Sequence, residues 1–249
     1  MKTVGIIGCG AIGTIISRAI QNGIVECDEL ILYDHKKEKV RKLKNELNFP
    51  LRVAENLEEL ISFKPKIIVE AASQQAVKDY LDKILAAKIE LIVMSVGALL
   101  ELGVKSQRVH IPSGAIGGLD AISSAELAGI QEVMLTTRKN PDAFGTSISG
   151  EKLVYEGTAE EAVHLFPREM NVAATLALTT KLRKLLVKVI ADPEVERNVH
   201  EIRVKWKLGE MLLKFSNDPH PENPKTSSLA AWSAIKLLKE VLEELSREN

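Results

Sequence analysis

A glycine-rich loop near the start of the chain restricts the possible folds more than any other feature of the sequence. The loop follows a short apolar run, Val4-Gly5-Ile6-Ile7, and leads into a helical pattern from Ala11 to Asn22. It has the spacing G-x-G-x-x-G and consists of Gly8, Cys9, Gly10, Ala11, Ile12 and Gly13. A strand, this loop and a helix in succession predict the phosphate-binding turn of a βαβ unit that binds a dinucleotide.

The residues of the loop have separate roles in that interpretation. Gly8 permits a tight turn, Gly10 lets the backbone approach a pyrophosphate, and Gly13 lets the helix pack closely on the strand. Ala11 and Ile12 open the helix, where free N–H groups and the helix dipole favour a phosphate. We therefore expect these five residues to bind the cofactor.

An acidic residue at the end of the next apolar run strengthens this prediction. Asp34 follows Leu30-Ile31-Leu32-Tyr33. It lies roughly 20 residues beyond the loop, where a carboxylate accepts hydrogen bonds from the hydroxyls of the adenosine ribose. The same carboxylate would repel the 2′-phosphate of NADP, and the sequence therefore favours NAD. Lys36 and Lys37 follow closely and could offset that repulsion, so NADP stays possible.

Apolar runs and helical patterns alternate over residues 1–107. Strands are expected near 4–7, 30–33, 51–53, 66–71 and 89–95, and helices over 11–22, 36–47 and 74–87. Near-continuous apolar strands separated by helices indicate a doubly wound parallel sheet, the Rossmann type of α/β domain.

Ligands of such sheets bind at the carboxyl ends of the strands. Small residues follow two of the expected strands, in Ala71-Ala72-Ser73 and in Ser95-Val96-Gly97, and they would let a nicotinamide lie close to the backbone. Ala72 and Ser73 are therefore candidate cofactor contacts. Ordinary strand-to-helix turns are the alternative.

The pattern changes after about residue 107. Residues 108–222 combine helical and alternating strand patterns, and the last two strands, 199–206 and 210–215, are joined by Lys207-Leu208-Gly209. We expect an α+β substrate and dimerisation domain with a mixed or antiparallel sheet. The last segment, 223–249, is expected to form an amphipathic helix from Pro224 to about Ser246. Asn223 would cap this helix, which would pack back near the first domain.

Composition excludes several classes of protein. The 249 residues are 45% hydrophobic and 27% charged, and a net charge of -1 gives no electrostatic reason to bind nucleic acid. No run approaches the roughly 20 apolar residues of a membrane span. Cys9 and Cys27 are too few for a disulfide framework or a zinc cluster, so no metal site and a reducing, cytoplasmic location are expected. With no histidine near it in the sequence, Cys9 is interpreted as a small packing residue.

Six segments of the chain have a more specific pattern. They are EAASQQAV (70–77), SVGAL (95–99), IPSGAIGGLDA (111–121), FPREMNVAATLAL (166–178), ADPEVERNVHEI (191–202) and ENPKTSSLAAWSAI (222–235). In this order they resemble the L-aspartate dehydrogenase family. The resemblance implies NAD(P)-dependent oxidative deamination of L-aspartate to oxaloacetate and ammonia through iminoaspartate, or the reverse reaction. It also implies a homodimer and a possible role in the first step of NAD biosynthesis.

The resemblance also assigns site residues. His200 matches the family's active-site histidine, Ala115 a position whose backbone amide contacts NAD, and Asn171 a side chain at the cofactor. After hydride leaves Cα of aspartate for C4 of the nicotinamide, water must add and ammonia must leave, which requires proton transfers. An imidazole that titrates near neutral pH suits this role, and His200 is therefore expected to be the general acid or base.

The two carboxylates of aspartate also need a binding site. Lys225, Thr226 and Ser227 lie at the expected start of the C-terminal helix, where an ammonium, two hydroxyls and free N–H groups would hold them. An ordinary solvated helix cap is the alternative.

Two rival functions stay open on the sequence. One is a related two-domain enzyme of the homoserine dehydrogenase or dihydrodipicolinate reductase type. The other is a dinucleotide-binding sensor without turnover, whose second domain serves only for pairing. Of these functions, only aspartate dehydrogenase activity requires ammonium-dependent oxidation of NADH with oxaloacetate.

Overall fold

The structure is a computed structural model that describes residues 2–104, 106–145, 147–167, 170–180, 185–220 and 223–247, with the backbone alone at 220 and 223–226. It divides into two compact units. The first consists of Met1–Pro112 and Ala231–Asn249, and the second of Ser113–Ala230. The sequence indicates a division near residue 107, whereas the structure divides after Pro112.

A parallel sheet forms the centre of the first unit. Its strands are β1 (Thr3–Ile7), β2 (Glu29–Tyr33), β3 (Leu51–Val53), β4 (Ile67–Glu70), β5 (Glu90–Val93) and β6 (Val109–His110). The helices between them are α1 (Ala11–Gln21), α2 (Lys37–Glu46), α3 (Leu57–Ser62), α4 (Gln74–Ala86) and α5 (Gly97–Leu102). All residues of β1, β4 and β5 are buried, as the apolar runs of a sheet covered on both faces require.

The strand order in this sheet is β3-β2-β1-β4-β5-β6, and every neighbouring pair is parallel. The order reverses between β1 and β4, which opens a crevice at the carboxyl ends of these two strands. The predicted Rossmann domain is confirmed. Helices α3 and α5 and strand β6 were not predicted, because six helical residues or two strand residues are too few for a recognisable period.

A mixed sheet forms the second unit. Its strands are β7 (Ile130–Lys139), β8 (Lys152–Thr158), β9 (Leu186–Ala191), β10 (Asn198–Trp206) and β11 (Gly209–Asn217), in the order β11-β10-β7-β9-β8. The pair β7–β9 is parallel and the other three pairs are antiparallel. Helices α6 (Leu119–Ala128) and α7 (Ala159–Leu165) contact this sheet, and α8 (Asn171–Thr180) contacts both helices. A short 3-10 helix, Pro141–Phe144, follows β7.

The end of the chain differs from the prediction. Residues Asn223–Ser227 form a short strand, β13, paired with β12 (Pro219–His220), and the final helix α9 runs over Ser228–Arg247. The expected cap at Asn223 and helix start at Pro224 are therefore wrong. A hairpin with β12 keeps the backbone extended as far as Ser227, and β13 also contacts the 3-10 helix Pro141–Phe144; together these contacts override the helix-start signals.

The apolar face of α9 is as expected, with Ile235, Leu238 and Leu242 buried. From Ala231 onward this helix belongs to the first unit. Within the described residues, none of the helices combines the length and the apolar character that crossing a bilayer requires.

The glycine loop between β1 and α1 is closely packed at two of its three glycines. Gly8 has a φ of 100°, and an added Cβ would lie 2.6 Å from the carbonyl oxygen of Ala71. A Cβ on Gly13 would lie 2.0 Å from the carbonyl oxygen of Gly8. At Gly10 the nearest atom would be Nζ of Lys39, at 3.9 Å. Gly8 and Gly13 thus hold strand, loop and helix together, whereas Gly10 leaves open space.

This difference predicts opposite stability effects for two alanine substitutions. Gly13→Ala should lower the free energy of unfolding by about 1–3 kcal/mol, because the new methyl group overlaps a backbone oxygen that cannot rotate away. Gly10→Ala, the matched control, should change it by less than about 0.5 kcal/mol. Urea unfolding of both variants measures the effect. Equal stability of Gly13→Ala and the unaltered chain would contradict the packing described above.

Candidate active site

The start of α1 is suited to an anion. Gly10 is the N-cap residue of this helix and has no side chain to cap it, and the first turn contains no acidic residue. The N–H groups that begin a helix have no partner within it, so they and the helix dipole favour a phosphate. These N–H groups and the open space at Gly10 suit the pyrophosphate of a dinucleotide. The sequence predicts this pyrophosphate site at Gly8, Gly10, Ala11, Ile12 and Gly13.

Asp34 lies beside this loop, immediately after β2, and is buried. Its Oδ2 accepts a hydrogen bond of 2.8 Å from the Cys9 N–H, and its Oδ1 accepts one of 2.9 Å from the Lys36 N–H. A carboxylate has about four acceptor sites, so these bonds leave capacity for ribose hydroxyls. Lys37, which could offset repulsion of a 2′-phosphate, forms an ion pair with Glu55. The buried carboxylate of Asp34, which would repel a 2′-phosphate, favours NAD.

Cys9 is buried in the loop and is not a nucleophile in this setting. Burial, and then the negative charge of Asp34, raise the pKa of its thiol to about 12. A thiol that stays protonated at neutral pH is unreactive. The interpretation of Cys9 as a packing residue is thus supported.

Ala72 and Ser73 lie at the carboxyl end of β4, as expected. Their N–H groups donate to Oε1 of Glu70, at 2.8 and 2.9 Å. The Ser73 hydroxyl accepts from the Ala76 N–H at 3.1 Å and caps α4. Because these groups have partners within the unit, we expect the two residues to contact a cofactor through the surface of the loop rather than through these N–H groups.

His200 lies in β10 of the second unit and is only 3% exposed. Along this strand Asn198, His200, Ile202 and Val204 are buried, which is the alternation of a sheet with one covered face. Nδ1 of His200 lies 3.0 Å from Oγ1 of Thr137 on β7, the residue paired with it across the two strands.

Further buried polar residues accompany His200 in the second unit. Lys139, two residues beyond Thr137 and thus on the same face of β7, is 3% exposed. Asn198, two residues before His200, donates from Nδ2 to Oγ of Ser227 over 3.4 Å. We call Thr137, Lys139, Asn198, His200 and Ser227 the His200 cluster. Sequence analysis singled out His200 and Ser227 but not Thr137, Lys139 and Asn198. These three could have been found as polar residues at the inward-facing positions of β7 and β10.

The electrostatics of the cluster correct one expectation. Burial, and then the positive charge of Lys139, lower the pKa of His200 to about 3. The imidazole is therefore neutral at physiological pH and does not titrate near neutrality as predicted. It can accept a proton or a hydrogen bond, but in the free protein it holds no second proton to donate.

The glycine-containing loop before α6 lies against β11, next to this cluster. The Ala115 carbonyl accepts a hydrogen bond of 2.9 Å from Nδ2 of Asn217, and a Cβ on Gly117 would lie 3.4 Å from the ring of Phe215. Phe215 pairs with His200, as Asn217 does with Asn198. Directly paired residues point to the same side of a sheet, so the loop lies on the face that carries His200.

The other predicted site residues are distributed as follows. Asn171 is half-buried at the first position of α8. Lys225 and Thr226 lie in β13 and not at a helix start, and their side chains fall outside the described residues.

The remaining histidines provide no competing site. Among those with described side chains, His35 and His164 are exposed, and His110 lies in β6 with Nε2 2.8 Å from Glu90.

Comparison with known proteins is consistent with this architecture. A family model described as "Aspartate dehydrogenase, C-terminal" matches residues 120–241, and one described as "Homoserine dehydrogenase, NAD binding domain" matches residues 8–109. The L-aspartate dehydrogenase of Methanosarcina mazei is 40% identical over 265 residues, with 97% of each chain covered. That of Methanothermobacter thermautotrophicus is 41% identical over 257 residues, with 98% of each chain covered. The chain belongs to the L-aspartate dehydrogenase family.

A solved member of the L-aspartate dehydrogenase family has the same fold. The crystal structure of aspartate dehydrogenase from Thermotoga maritima matches with a TM-score of 0.76 at 29% identity, with 97% of each chain covered. The resemblance seen in the sequence is confirmed, as are the oxidoreductase class and NAD as the cofactor of the first unit.

The depressed pKa of His200 predicts how the stability of this family member varies with pH. The pKa of His200 is about 3 in the folded protein and 6.5 in the unfolded chain, so the unfolded chain binds the proton more readily. The contribution of His200 to the free energy of unfolding is therefore complete above pH 6.5 and is lost as the pH falls towards 3. At pH 5 the loss should be about 2 kcal/mol relative to pH 7.5. A His200→Asn variant should lack this component.

Urea unfolding of both proteins at the two pH values measures the difference, because all other titrating groups are common to them. An identical pH dependence in the two proteins would show that His200 is not buried in its neutral form.

Proposed function

We propose that the chain is an NAD-dependent L-aspartate dehydrogenase, which deaminates L-aspartate to oxaloacetate and ammonia through iminoaspartate. The observation that carries this proposal is a buried histidine within a cluster of polar side chains, on a chain related over its full length to proteins named L-aspartate dehydrogenase. NAD bound at the glycine loop and Asp34 supplies the acceptor for the hydride that leaves Cα. The further role in NAD biosynthesis, implied by the resemblance, is part of the proposal.

His200 acts as the proton acceptor. Its Nδ1 is engaged by Thr137, which leaves Nε2 for the substrate or the water that adds to the imine carbon. The neutral imidazole is ready to accept a proton at physiological pH, although its pKa of about 3 makes it a weak base in the free protein. A substrate carboxylate close to the ring would raise that pKa, because a nearby negative charge favours the imidazolium form.

The donors of the His200 cluster hold the substrate carboxylates. Lys139 supplies a buried positive charge, and Asn198 and Ser227 supply neutral hydrogen-bonding groups on the same side of the sheet. Charge-assisted hydrogen bonds to carboxylates are the stronger kind, so Lys139 contributes most. Lys225 and Thr226 remain predicted substrate-binding residues. Because they lie in β13, the N–H groups of a helix start no longer support that prediction. Ala115 and Asn171 are proposed cofactor contacts.

The rival functions have less support. Relatives matched over nearly the whole chain are named L-aspartate dehydrogenase, whereas the homoserine dehydrogenase model covers the NAD-binding domain alone. A sensor without turnover would not account for the match of nearly the whole chain to relatives named as a dehydrogenase. The reducing, cytoplasmic location is also proposed, and is supported by the free thiols of Cys9 and Cys27.

The activity predicts a specific assay result. NADH should be oxidised with oxaloacetate and ammonium, and should not be oxidised at a comparable rate when ammonium is left out. His200→Asn should lower kcat at least about 100-fold, the smaller end of the usual contribution of a general base.

The Kd of NADH for His200→Asn should stay within about twofold of the unaltered value, since the residue does not belong to the dinucleotide-binding unit. NADH oxidation that is equal with and without ammonium would argue for a different carbonyl reductase. Near-full turnover by His200→Asn would remove this residue from the mechanism.

We also propose a homodimer formed through the outward face of the second sheet. Leu212, Arg203, Met134 and Leu186 follow one another across four strands on the face opposite His200. Leu212 is 63% exposed and Leu186 is 39% exposed. Three of these four side chains are apolar, and Arg203 among them is paired with Glu201. Exposed apolar side chains on a sheet face are typical of an interface, and a two-fold axis would place this row against its own copy.

The dimer proposal predicts the effect of one charge. Leu212→Arg should yield monomers in light scattering coupled to size exclusion, because it would remove an exposed apolar side chain and place a second positive charge beside Arg203. Leu208→Arg is the matched control: Leu208 is 77% exposed but lies in the β10–β11 turn, outside the face, so the dimer should persist. A dimeric Leu212→Arg variant would exclude this surface.

A further inference from the structure

A second buried acid of the first unit has no role in the reaction described above. Glu70 is the last residue of β4 and is 2% exposed. Its Oε1 accepts hydrogen bonds from the N–H groups of Ala72 (2.8 Å) and Ser73 (2.9 Å) and from the hydroxyl of Ser95 (2.9 Å). Its Oε2 accepts from the Ser95 N–H at 3.0 Å. Four donors therefore converge on one carboxylate.

These donors belong to two different loops. Ala72 and Ser73 lie in the connection from β4 to α4, and Ser95 lies in the connection from β5 to α5. The carboxylate of Glu70 thus ties the carboxyl ends of two neighbouring strands together. The connection from β4 also touches the glycine loop, since a Cβ on Gly8 would meet Ala71 at 2.6 Å.

Two opposing effects act on the pKa of the Glu70 carboxyl group. Burial raises this pKa, and the hydrogen bonds from Ser95, Ala72 and Ser73 offset only part of that rise. All four donors are satisfied at once by an ionised carboxylate, which only accepts hydrogen bonds. Burying a carboxylate is costly, and the hydrogen bonds from these four donors offset that cost.

The topology indicates which part of the cofactor lies over these loops. The crevice opens between β1 and β4, with the pyrophosphate at the start of α1. The adenosine ribose lies towards β2, where Asp34 is placed to bind it. The other half of the dinucleotide must therefore extend in the opposite direction, over the ends of β4 and β5.

We propose that Glu70 is a positioning residue for the nicotinamide half of NAD: by binding both loops it fixes the backbone surface on which that half rests. The adenosine half rests on Asp34 and the glycine loop, whose N–H groups do not donate to the Glu70 carboxylate. This inference depends on NAD binding by the first unit, and it extends that binding to a residue outside the glycine motif.

The test compares two ligands that share the adenosine half. ADP-ribose lacks the nicotinamide, whereas NADH contains it. Glu70→Gln keeps one acceptor oxygen. Its NH2 group replaces the other oxygen and would face an N–H or hydroxyl donor that forms a hydrogen bond with the carboxylate in the unaltered chain. Calorimetry should show a Kd for NADH about tenfold higher, which corresponds to about 1.4 kcal/mol, and a Kd for ADP-ribose within about twofold of the unaltered value.

Glu90→Gln is the matched control. Glu90 is another buried carboxylate in the same sheet, at the opposite end of β5, where it pairs with Arg108 and His110. Its substitution should lower the melting temperature but leave the ratio of the two Kd values unchanged. A Glu70→Gln variant that weakens both ligands equally, or neither, would overturn the proposal and leave Glu70 a structural residue.

Ser95→Ala decides the question if Glu70→Gln does not fold. It removes the hydroxyl donor and keeps the Ser95 N–H, so it should raise the Kd for NADH about threefold without changing that for ADP-ribose. Unchanged NADH binding by Ser95→Ala would then overturn the proposal. If the unaltered chain did not bind NADH, the cofactor assignment itself would be refuted. Titration of the unaltered chain with NADH therefore separates failure of that assignment from failure of the proposal about Glu70.

Discussion

The first unit depends on how closely the backbone of the glycine loop approaches its neighbours. A side chain at Gly8 or Gly13 would overlap backbone oxygens, so strand, helix and the following loop pack at a separation that only glycine allows. The same lack of side chains leaves the start of α1 without a cap, and its N–H groups are then available to an anion. Tight packing and phosphate binding are therefore two results of one local sequence.

Buried carboxylates fix the loops around this helix start. Asp34 accepts from the N–H groups of Cys9 and Lys36, and Glu70 accepts from those of two further loops. At the carboxyl edge of a parallel sheet the connecting segments leave the strand ladder, and their N–H groups need partners that the sheet no longer provides. An acid at the last strand position satisfies several of them at once, so the edge that binds a ligand is also rigid.

Features that neighbouring residues determine could be predicted from the sequence, whereas features that depend on distant contacts could not. The glycine spacing, Asp34 and the apolar strands are local, and they were sufficient for the Rossmann unit and for NAD. The start of α9 is not determined locally: Asn223 and Pro224 carry helix-start signals, but they lie in a short hairpin that contacts the distant 3-10 helix Pro141–Phe144. Short elements such as α3 were missed because six residues show too little periodicity.

The His200 cluster shows the same limit at the level of chemistry. The sequence and its family resemblance identified His200, but Thr137, 63 residues earlier in the chain, and Lys139 reach it only through strand pairing. Their positions, and the burial that holds the pKa of His200 near 3, exist only in the folded sheet. The sequence could therefore nominate His200 as a candidate, whereas its protonation state could not be predicted.

That protonation state has a consequence for the order of events in the proposed reaction. Lys139 and burial together disfavour the imidazolium form of His200 in the free protein. A bound dicarboxylate would bring negative charge beside both residues, which offsets the charge of Lys139 and makes protonation of the imidazole less costly. The base would then gain strength only after the substrate has entered. A monocarboxylic substrate would provide less of this compensation, so the field of the buried lysine would itself favour an acidic amino acid over a neutral one.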